Sequence, residues 1–386
     1  MIYLDNAATT SPKPAAVREA VAGALQMYSA NPGRSGHQMS LSAAEAVFRC
    51  RQKAAAFFHA PSVERVVFTL NCTQAINFVL KGTLKPGDHV VTSSLEHNAV
   101  MRPLEKLRKQ GVAYDVAEVI FADPEATLRS FIRAIRPQTK LVICTHASNV
   151  TGTVLPIGEI GRACRERGIL FAVDAAQSAG ILPIDMQQMC IDFLCVAAHK
   201  GLYAPMGTGL LICGADLGDT LIEGGTGTDS VNLQQPVDMP ERLESGTINT
   251  PGIAGLGAGI DFVEKKGLAR IYSHELRMVT RLYDAMEQMP SVRLYTGRPA
   301  QGLYAPVLSF NVAGLSSPET AALLDKAGVA VRAGLHCAPS AHKRIGTLDQ
   351  GTVRICPSAF TSPEEVGQVI QILRRLDVRQ RKQVNY

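Results

Sequence analysis

A chain of 386 residues with 46% hydrophobic content is long enough for two or more domains and apolar enough to bury a sizeable core, which excludes a disordered chain. Its 39 basic and 34 acidic residues leave a formal charge of +5 with no basic block in the body, so nucleic-acid binding is not indicated, and no apolar run reaches the ~18 residues of a membrane span. Nine cysteines, odd in number and without C-x-x-C or zinc spacing, argue against a disulfide framework or a metal site; with no signal-peptide pattern at Met1–Asp5, a reducing cytoplasm is the expected location.

A short strand opens the chain, and Pro12 and Pro14 signal a helix running to about Tyr28. Residues 31–37, with Arg34 and His37, read as a loop, followed by an Ala-rich helix from Leu41 to His59. Val63–Leu70 is a strand that turns into a helix through Asn71, Cys72 and Thr73; the free N–H groups at such a helix start attract an anion, and Asn71 reads equally as an ordinary N-cap. Strand-then-helix units continue: a strand at His89–Ser94, a helix to Gln110, a strand near Val116, a helix from about Thr127 to Ile135, and strands at Thr139–His146 and Ile169–Asp174. That alternation implies a mainly parallel sheet wound by helices. Phe193–Cys213 is a strand, a turn containing His199, Lys200, Pro205 and Gly207, and a second strand. The glycine-rich stretch 223–230 has neither nucleotide-binding glycine pattern. Helices at Thr250–Lys266 and Arg270–Gln288 lead to a smaller α+β part, with strands near Leu294, Val307–Asn311, Val329–Arg332 and Thr352–Ile355 and helices at Pro318–Ala327 and Pro363–Leu376. The basic tail, Arg374 to Lys382, reads as a solvated helix end.

Lys200 stands at the mouth of a buried strand, where low-dielectric surroundings disfavour its ammonium form; alone, it also reads as a surface lysine. Asp174 ends another buried strand about 25 positions earlier, at the edge where ligands of open α/β sheets bind. An amine that forms a Schiff base and a carboxylate that keeps a pyridine nitrogen protonated are the pair that pyridoxal phosphate requires. Farther on, Gly334 and Pro339 bracket Cys337 in a loop, where it is more accessible than the strand cysteines Cys144, Cys190, Cys195 and Cys213, and Arg332 and His336 are placed to raise its thiolate fraction. Arg354 ends a strand, where its guanidinium suits a carboxylate or a surface ion pair.

Asp174-Ala-Ala-Gln177 followed by His199-Lys200 resembles the class V aminotransferases, of the cysteine desulfurase and selenocysteine lyase type. The likeness runs from Tyr3–Thr10 (YLDNAATT) to Gly351–Arg354 (GTVR), nearly the whole chain. The resemblance implies pyridoxal phosphate fold type I, an α/β large domain over 15–260 with a mainly parallel seven-stranded-type sheet, and a smaller α+β domain made of 1–14 and 261–386. It implies that pyridoxal 5'-phosphate is bound by Lys200, Asp174, Gln177 at the ring hydroxyl, His97 stacked on the ring, Cys72, Thr73, His199 and Asn149, with Thr247 reaching the cofactor of a neighbouring subunit in a homodimer with shared sites. Arg354, Asn149, Arg34 and His37 fall at substrate positions, Arg354 for the α-carboxylate. Catalysis then rests on Lys200, His97 and Cys337, the last at the position where desulfurases form a persulfide. The implied reaction converts L-cysteine to L-alanine and passes sulfur to an acceptor, possible partners being a protein acceptor and L-selenocysteine as alternative substrate. Other readings are selenocysteine lyase, another class V reaction that leaves Cys337 idle, and a non-catalytic sulfur carrier.

The chain departs from the family pattern in places. Asn71-Cys72-Thr73 stands where Gly-Thr-Thr is usual, Ala197 where a Ser or Thr meets the phosphate, Ile248 where proline or leucine is common, and Cys356–Thr361 follows the arginine motif unusually. Ala197 leaves one phosphate hydrogen bond unfilled.

Overall fold

The computed structural model describes residues 1–32, 36–228 and 230–384. In chain order, β1 (Ile2–Tyr3), α1 (Ala15–Met27) and α2 (Gln38–Phe58) precede an alternating series. That series is β2 (Val66–Thr69), α3 (Cys72–Thr83), β3 (His89–Ser93), α4 (Asn98–Arg108), β4 (Ala113–Ala117), α5 (Pro124–Ala134), β5 (Thr139–Thr145), α6 (Ile157–Arg165), β6 (Leu170–Asp174), β7 (Phe193–Ala197) and β8 (Gly209–Cys213). Two long helices, α7 (Thr250–Lys266) and α8 (Leu268–Glu287), lead on. The remainder is β9 (Val292–Leu294), β10 (Leu308–Val312), α9 (Ser317–Lys326), β11 (Val329–Ala330), β12 (Arg332–Gly334), α10 (Pro339–Arg344), β13 (Thr352–Ile355) and α11 (Pro363–Val384).

The larger sheet has the order β2-β8-β7-β6-β5-β3-β4. Its strands from β4 across to β7 are parallel and only β8 runs against both neighbours, as a strand returning through a short turn must. Helices cover both faces, so β3, β6, β7 and β8 are almost wholly buried and read as continuous apolar runs. Val142, Val173 and Val196 pack into one layer, and Ile143, Ala172 and Cys195 into the other. The register pairs Asp174 with Cys195, which sets the end of β6 beside the end of β7. Asp174 and Lys200 are thus delivered to the same edge of the sheet.

The smaller sheet, β12-β13-β10-β9, is antiparallel and packs with α8, α9 and α11 around Leu308, Phe310, Val353 and Leu373. The strand expected over Val329–Arg332 divides: β11 pairs in parallel with β1, while β12 joins β13. The nine-residue α6 and six-residue α10 carry too few turns to display helical periodicity and were not expected. Among the described residues no helix is long and apolar enough to cross a membrane.

Candidate active site

A cavity of about 220 Å³ opens at the edge of the larger sheet, among the turns after β2, β3, β5, β6 and β7. Eight expected residues line it: Cys72, Thr73 and His97, then Asn149, Asp174 and Gln177, then His199 and Lys200. Lys200 sits in a tight turn, its N–H donating to Ala197 O at 3.2 Å and its carbonyl accepting from Tyr203 N at 2.8 Å. The following residue must be small, because a Cβ on Gly201 would lie 2.2 Å from Ala179 O. Lys200 is half-buried, and removal of its amine from water lowers its pKa below the usual lysine value; Asp174 opposes that shift and Arg354 adds to it.

Asp174 is buried, and its Oδ1 accepts from Ala176 N at 2.9 Å and from the Cys72 thiol at 3.3 Å. Its Oδ2 carries no hydrogen bond among the described residues, which leaves an acceptor of the kind a protonated ring nitrogen needs. The Cys72 thiol is pushed well above its ordinary pKa by burial and then by Asp174, so it is a neutral donor here. His97 caps α4, its Nδ1 accepting from Ala99 N at 3.0 Å, and it also lines the cavity. Capping and facing the site are compatible because the ring's Nε2 edge stays free. Burial holds the His97 pKa below the usual value, so the ring stays neutral near pH 7.

The side chains present fit the pyridoxal phosphate that the resemblance implies. Asn71 caps α3 by accepting from Gln74 N at 2.9 Å, so the N–H groups of Cys72 and Thr73, in the first turn, have no carbonyl to meet and form an anion cradle. Among the described residues the Nδ1 of His199 is buried without a partner, an orphaned polar atom beside that cradle, and burial takes its pKa down to about 4. Ala197 lines the same wall with no hydroxyl to add. Gln177 donates to Ala7 O at 3.0 Å, which ties it to the amino-terminal segment.

Cys337 is exposed at the rim, in a groove that shares Thr73, His97 and Ala99 with the cavity. His336 and Cys337 have φ of 50° and 57°, a left-handed pair without a glycine, and the conformation is held by two hydrogen bonds. Asn149 Nδ2 donates to His336 O at 2.7 Å, and Asn98 N donates to Cys337 O at 2.7 Å. The expected activation of Cys337 by a charged His336 is corrected here. His336 is buried against Thr352, with its Nε2 3.1 Å from that residue's carbonyl, and burial drives its pKa down to about 2, so it contributes no positive charge.

Arg354 is no surface residue: it is 2% exposed, donating from Nη2 to Asp5 Oδ1 and from Nη1 to Asn149 O, each at 3.0 Å. Among the described residues its Nε is buried without a partner, a donor in reserve, although Arg354 stands behind Asn149 and does not itself line the cavity. His37 is exposed and caps α2 through Ser40 N, away from the cavity, and Arg34 lies outside the described residues. Thr247 is exposed and absent from the cavity of its own chain. Among the described residues no group of three or more His, Cys, Asp or Glu side chains is arranged to hold a metal ion.

Other participants had escaped a role. Asp5 lies inside the YLDNAATT stretch, but its pairing with a residue 349 positions away has no local signal. Lys13 donates to His199 O at 2.7 Å, and burial lowers its pKa to about 8. Glu96, wholly buried beside His97, accepts from Ser93 Oγ and from Thr145 N.

The sequence matches the family model for aminotransferase class V over residues 2–369. It is 37% identical over 385 residues to a probable cysteine desulfurase of Methanothermobacter thermautotrophicus, covering 97% of this chain and 94% of that one. It is 33% identical to a probable cysteine desulfurase of Pyrococcus abyssi, again over 97% and 94%. Among solved structures it is similar to the apo cysteine desulfurase of Thermococcus onnurineus, with a TM-score of 0.86, 33% identity and coverage of 97% and 94%. The cysteine desulfurase CsdA of Escherichia coli superposes with a TM-score of 0.85 at 27% identity over the same shares.

Proposed function

The chain belongs to the class V aminotransferases, enzymes of pyridoxal phosphate fold type I that depend on that cofactor, and from this premise we propose that it is a cysteine desulfurase that takes sulfur from L-cysteine onto Cys337 and releases L-alanine. The observation that carries the reading is the placement of Cys337: an exposed thiol at the rim of the cavity, with its backbone tied to Asn98 and, through His336, to Asn149.

Asp174 and the α3 start would hold the ring and the phosphate of the cofactor, with His97 against the ring and Lys200 as its anchor. When bound, the ring draws off electrons released at the substrate Cα. Lys200, its amine made less basic by burial, is the base that takes the Cα proton. Arg354, kept charged by Asp5, stands behind Asn149 with its Nε unengaged among the described residues and would reach the α-carboxylate past that residue, so orienting the Cβ–S bond toward Cys337. Cys337 thiolate attacks the substrate sulfur: a new S–S bond forms, the C–S bond breaks, and its electron pair with a proton ends on Cβ as alanine. Cys337 is left as a persulfide. Thr247 belongs in this scheme to the site of a second copy, consistent with its absence from the lining of its own cavity. The proposed division into 15–260 and 1–14 with 261–386 draws support from the separate seven-stranded and four-stranded sheets and from the β1–β11 pairing, which joins the amino-terminal segment to the later part of the chain.

The test is alanine formation from L-cysteine by the cofactor-loaded protein, with Cys337→Ala beside it. Alanine from the wild type, a persulfide on Cys337 and little product from the variant support the reading. Equal turnover by both proteins would retain the cofactor enzyme and remove the role of Cys337.

A further inference from the structure

Outside the cavity, the feature least used by the chemistry above is a furrow of about 370 Å³ between α3 and α4, with Cys337 at one end. Its walls are two stripes at helical spacing. From α3 come Thr73, Asn77 and Lys81, and from α4 come Asn98, Arg102 and Lys106, each set at i, i+4 and i+8 and so on one face of its helix. Both stripes begin at the active site, where Thr73 lines the cavity and Asn98 holds the Cys337 carbonyl. Eight residues of helix carry the furrow about 12 Å away from the thiol.

The furrow is cationic without compensation. Lys81, Arg102 and Lys106 form no ion pair among the described residues, and no acidic side chain lines it. Glu105, the acid nearest in sequence, is engaged by Arg108 at 2.8 Å and by Tyr114. L-cysteine is a zwitterion of no net charge that reacts inside the cavity, so it makes no use of three cations aligned outside.

We propose that this furrow docks an acidic segment of a protein whose cysteine receives the sulfur from Cys337; the inference rests on the persulfide reading above. An extended segment covers about 12 Å with four residues, so the acceptor carries two or three acidic residues within about four positions of its cysteine. The acceptor thiolate attacks the outer sulfur of the Cys337 persulfide, forming a new S–S bond. The bond from that sulfur to Cys337 Sγ breaks, and Cys337 leaves as a thiolate. The outer sulfur keeps its proton, and no external oxidant or reductant is consumed. A polypeptide fits better than a nucleic acid, because no Phe, Tyr or Trp lines the furrow for bases to stack on and the transfer requires a thiol.

The experiment loads the holoenzyme with L-cysteine carrying radiolabelled sulfur, removes free substrate, and follows label passing from Cys337 to synthetic peptides in a single turnover. One peptide has a cysteine flanked by Asp and Glu, a second has Asn and Gln in their place, and glutathione is the small-thiol control. The acidic peptide should react roughly tenfold faster than the neutral one at low salt, the combined size of a few exposed charge pairs, and the advantage should vanish at high salt. Arg102→Glu with Lys106→Glu should abolish the preference while label loading and alanine formation stay unchanged. Equal rates for the two peptides, or a preference that survives the charge reversal, would overturn the proposal while leaving the persulfide reading intact. Glutathione as fast as the acidic peptide would assign the furrow to a small thiol and also overturn it. Absence of label on wild-type Cys337 would remove the desulfurase reading and this inference together.

Discussion

Two buried ionisable groups show how single residues tune this site. Arg354 is 2% exposed, and among the described residues its one carboxylate partner is Asp5, so Asp5→Ala leaves an uncompensated cation in the interior. Breaking such a pair costs about 3 kcal/mol or more. Urea denaturation should show that loss, and kinetics should show a raised KM for L-cysteine because the guanidinium loses its anchor. Unchanged stability would mean that the pair contributes nothing. Glu96 acts with the opposite sign. Burial raises its pKa from 4.5 to about 8, so the folded protein holds a proton that the unfolded chain releases. The contribution of Glu96 to stability is therefore complete below about pH 4.5, falls as pH climbs toward 8, and is level above it. Glu96→Gln should flatten that decline; urea midpoints measured from pH 5 to 8 check it, and equal slopes in both proteins would overturn it.

At the scale of elements, α7 acts as a backstop for the turn that carries Lys200. A Cβ on Gly259 would lie 2.1 Å from Leu202 O, so the helix packs directly on the backbone two residues past the lysine. Helix propensity alone predicts that Gly259→Ala stabilises by about 1 kcal/mol. The contact predicts a loss of about 1–3 kcal/mol as the turn is displaced, together with weaker retention of the cofactor. The two accounts differ in sign, and thermal unfolding decides between them. Such contacts also mark where the sequence stopped being informative. Buried runs such as Phe193–Ala197 identified the strands, and their polar ends, Asp174 and the His199-Lys200 pair, pointed to the edge where the cavity opens, because both signals are local. The split of Val329–Gly334 between two sheets was not legible, since it depends on β1, more than three hundred residues away. His336 misled for a related reason. A histidine beside a cysteine reads as a charge donor, and only the burial against Thr352 shows that it is neutral.

The whole molecule leaves apolar surface that one chain does not cover. Val231, Leu233 and Val237 are 96%, 102% and 77% exposed, and Met206 and Leu70 are 71% and 61% exposed. Three of these fall within seven residues of one segment, 231–237, a concentration that a second copy could cover. Phe48 lines a second cavity of about 440 Å³ with Thr226, Gly246 and Ile248, the last two flanking Thr247. The residue expected to serve a neighbouring subunit therefore stands beside an open recess of mixed character, where Val47, Phe48 and Ile248 meet Arg51, Glu241 and Glu244, and a second copy would seat there. We expect the wild type to sediment as a dimer and Val231→Asp with Leu233→Asp to shift it toward monomer, with cofactor retention falling in parallel because each site loses Thr247 of the other chain. Thr247→Ala should stay dimeric yet bind the cofactor roughly tenfold more weakly, the value of one hydrogen bond to a charged group. That variant separates assembly from the contact itself. A wild type that is monomeric at micromolar concentration and retains its cofactor would overturn the shared site, and the exposed apolar segment would then need a different partner to cover it.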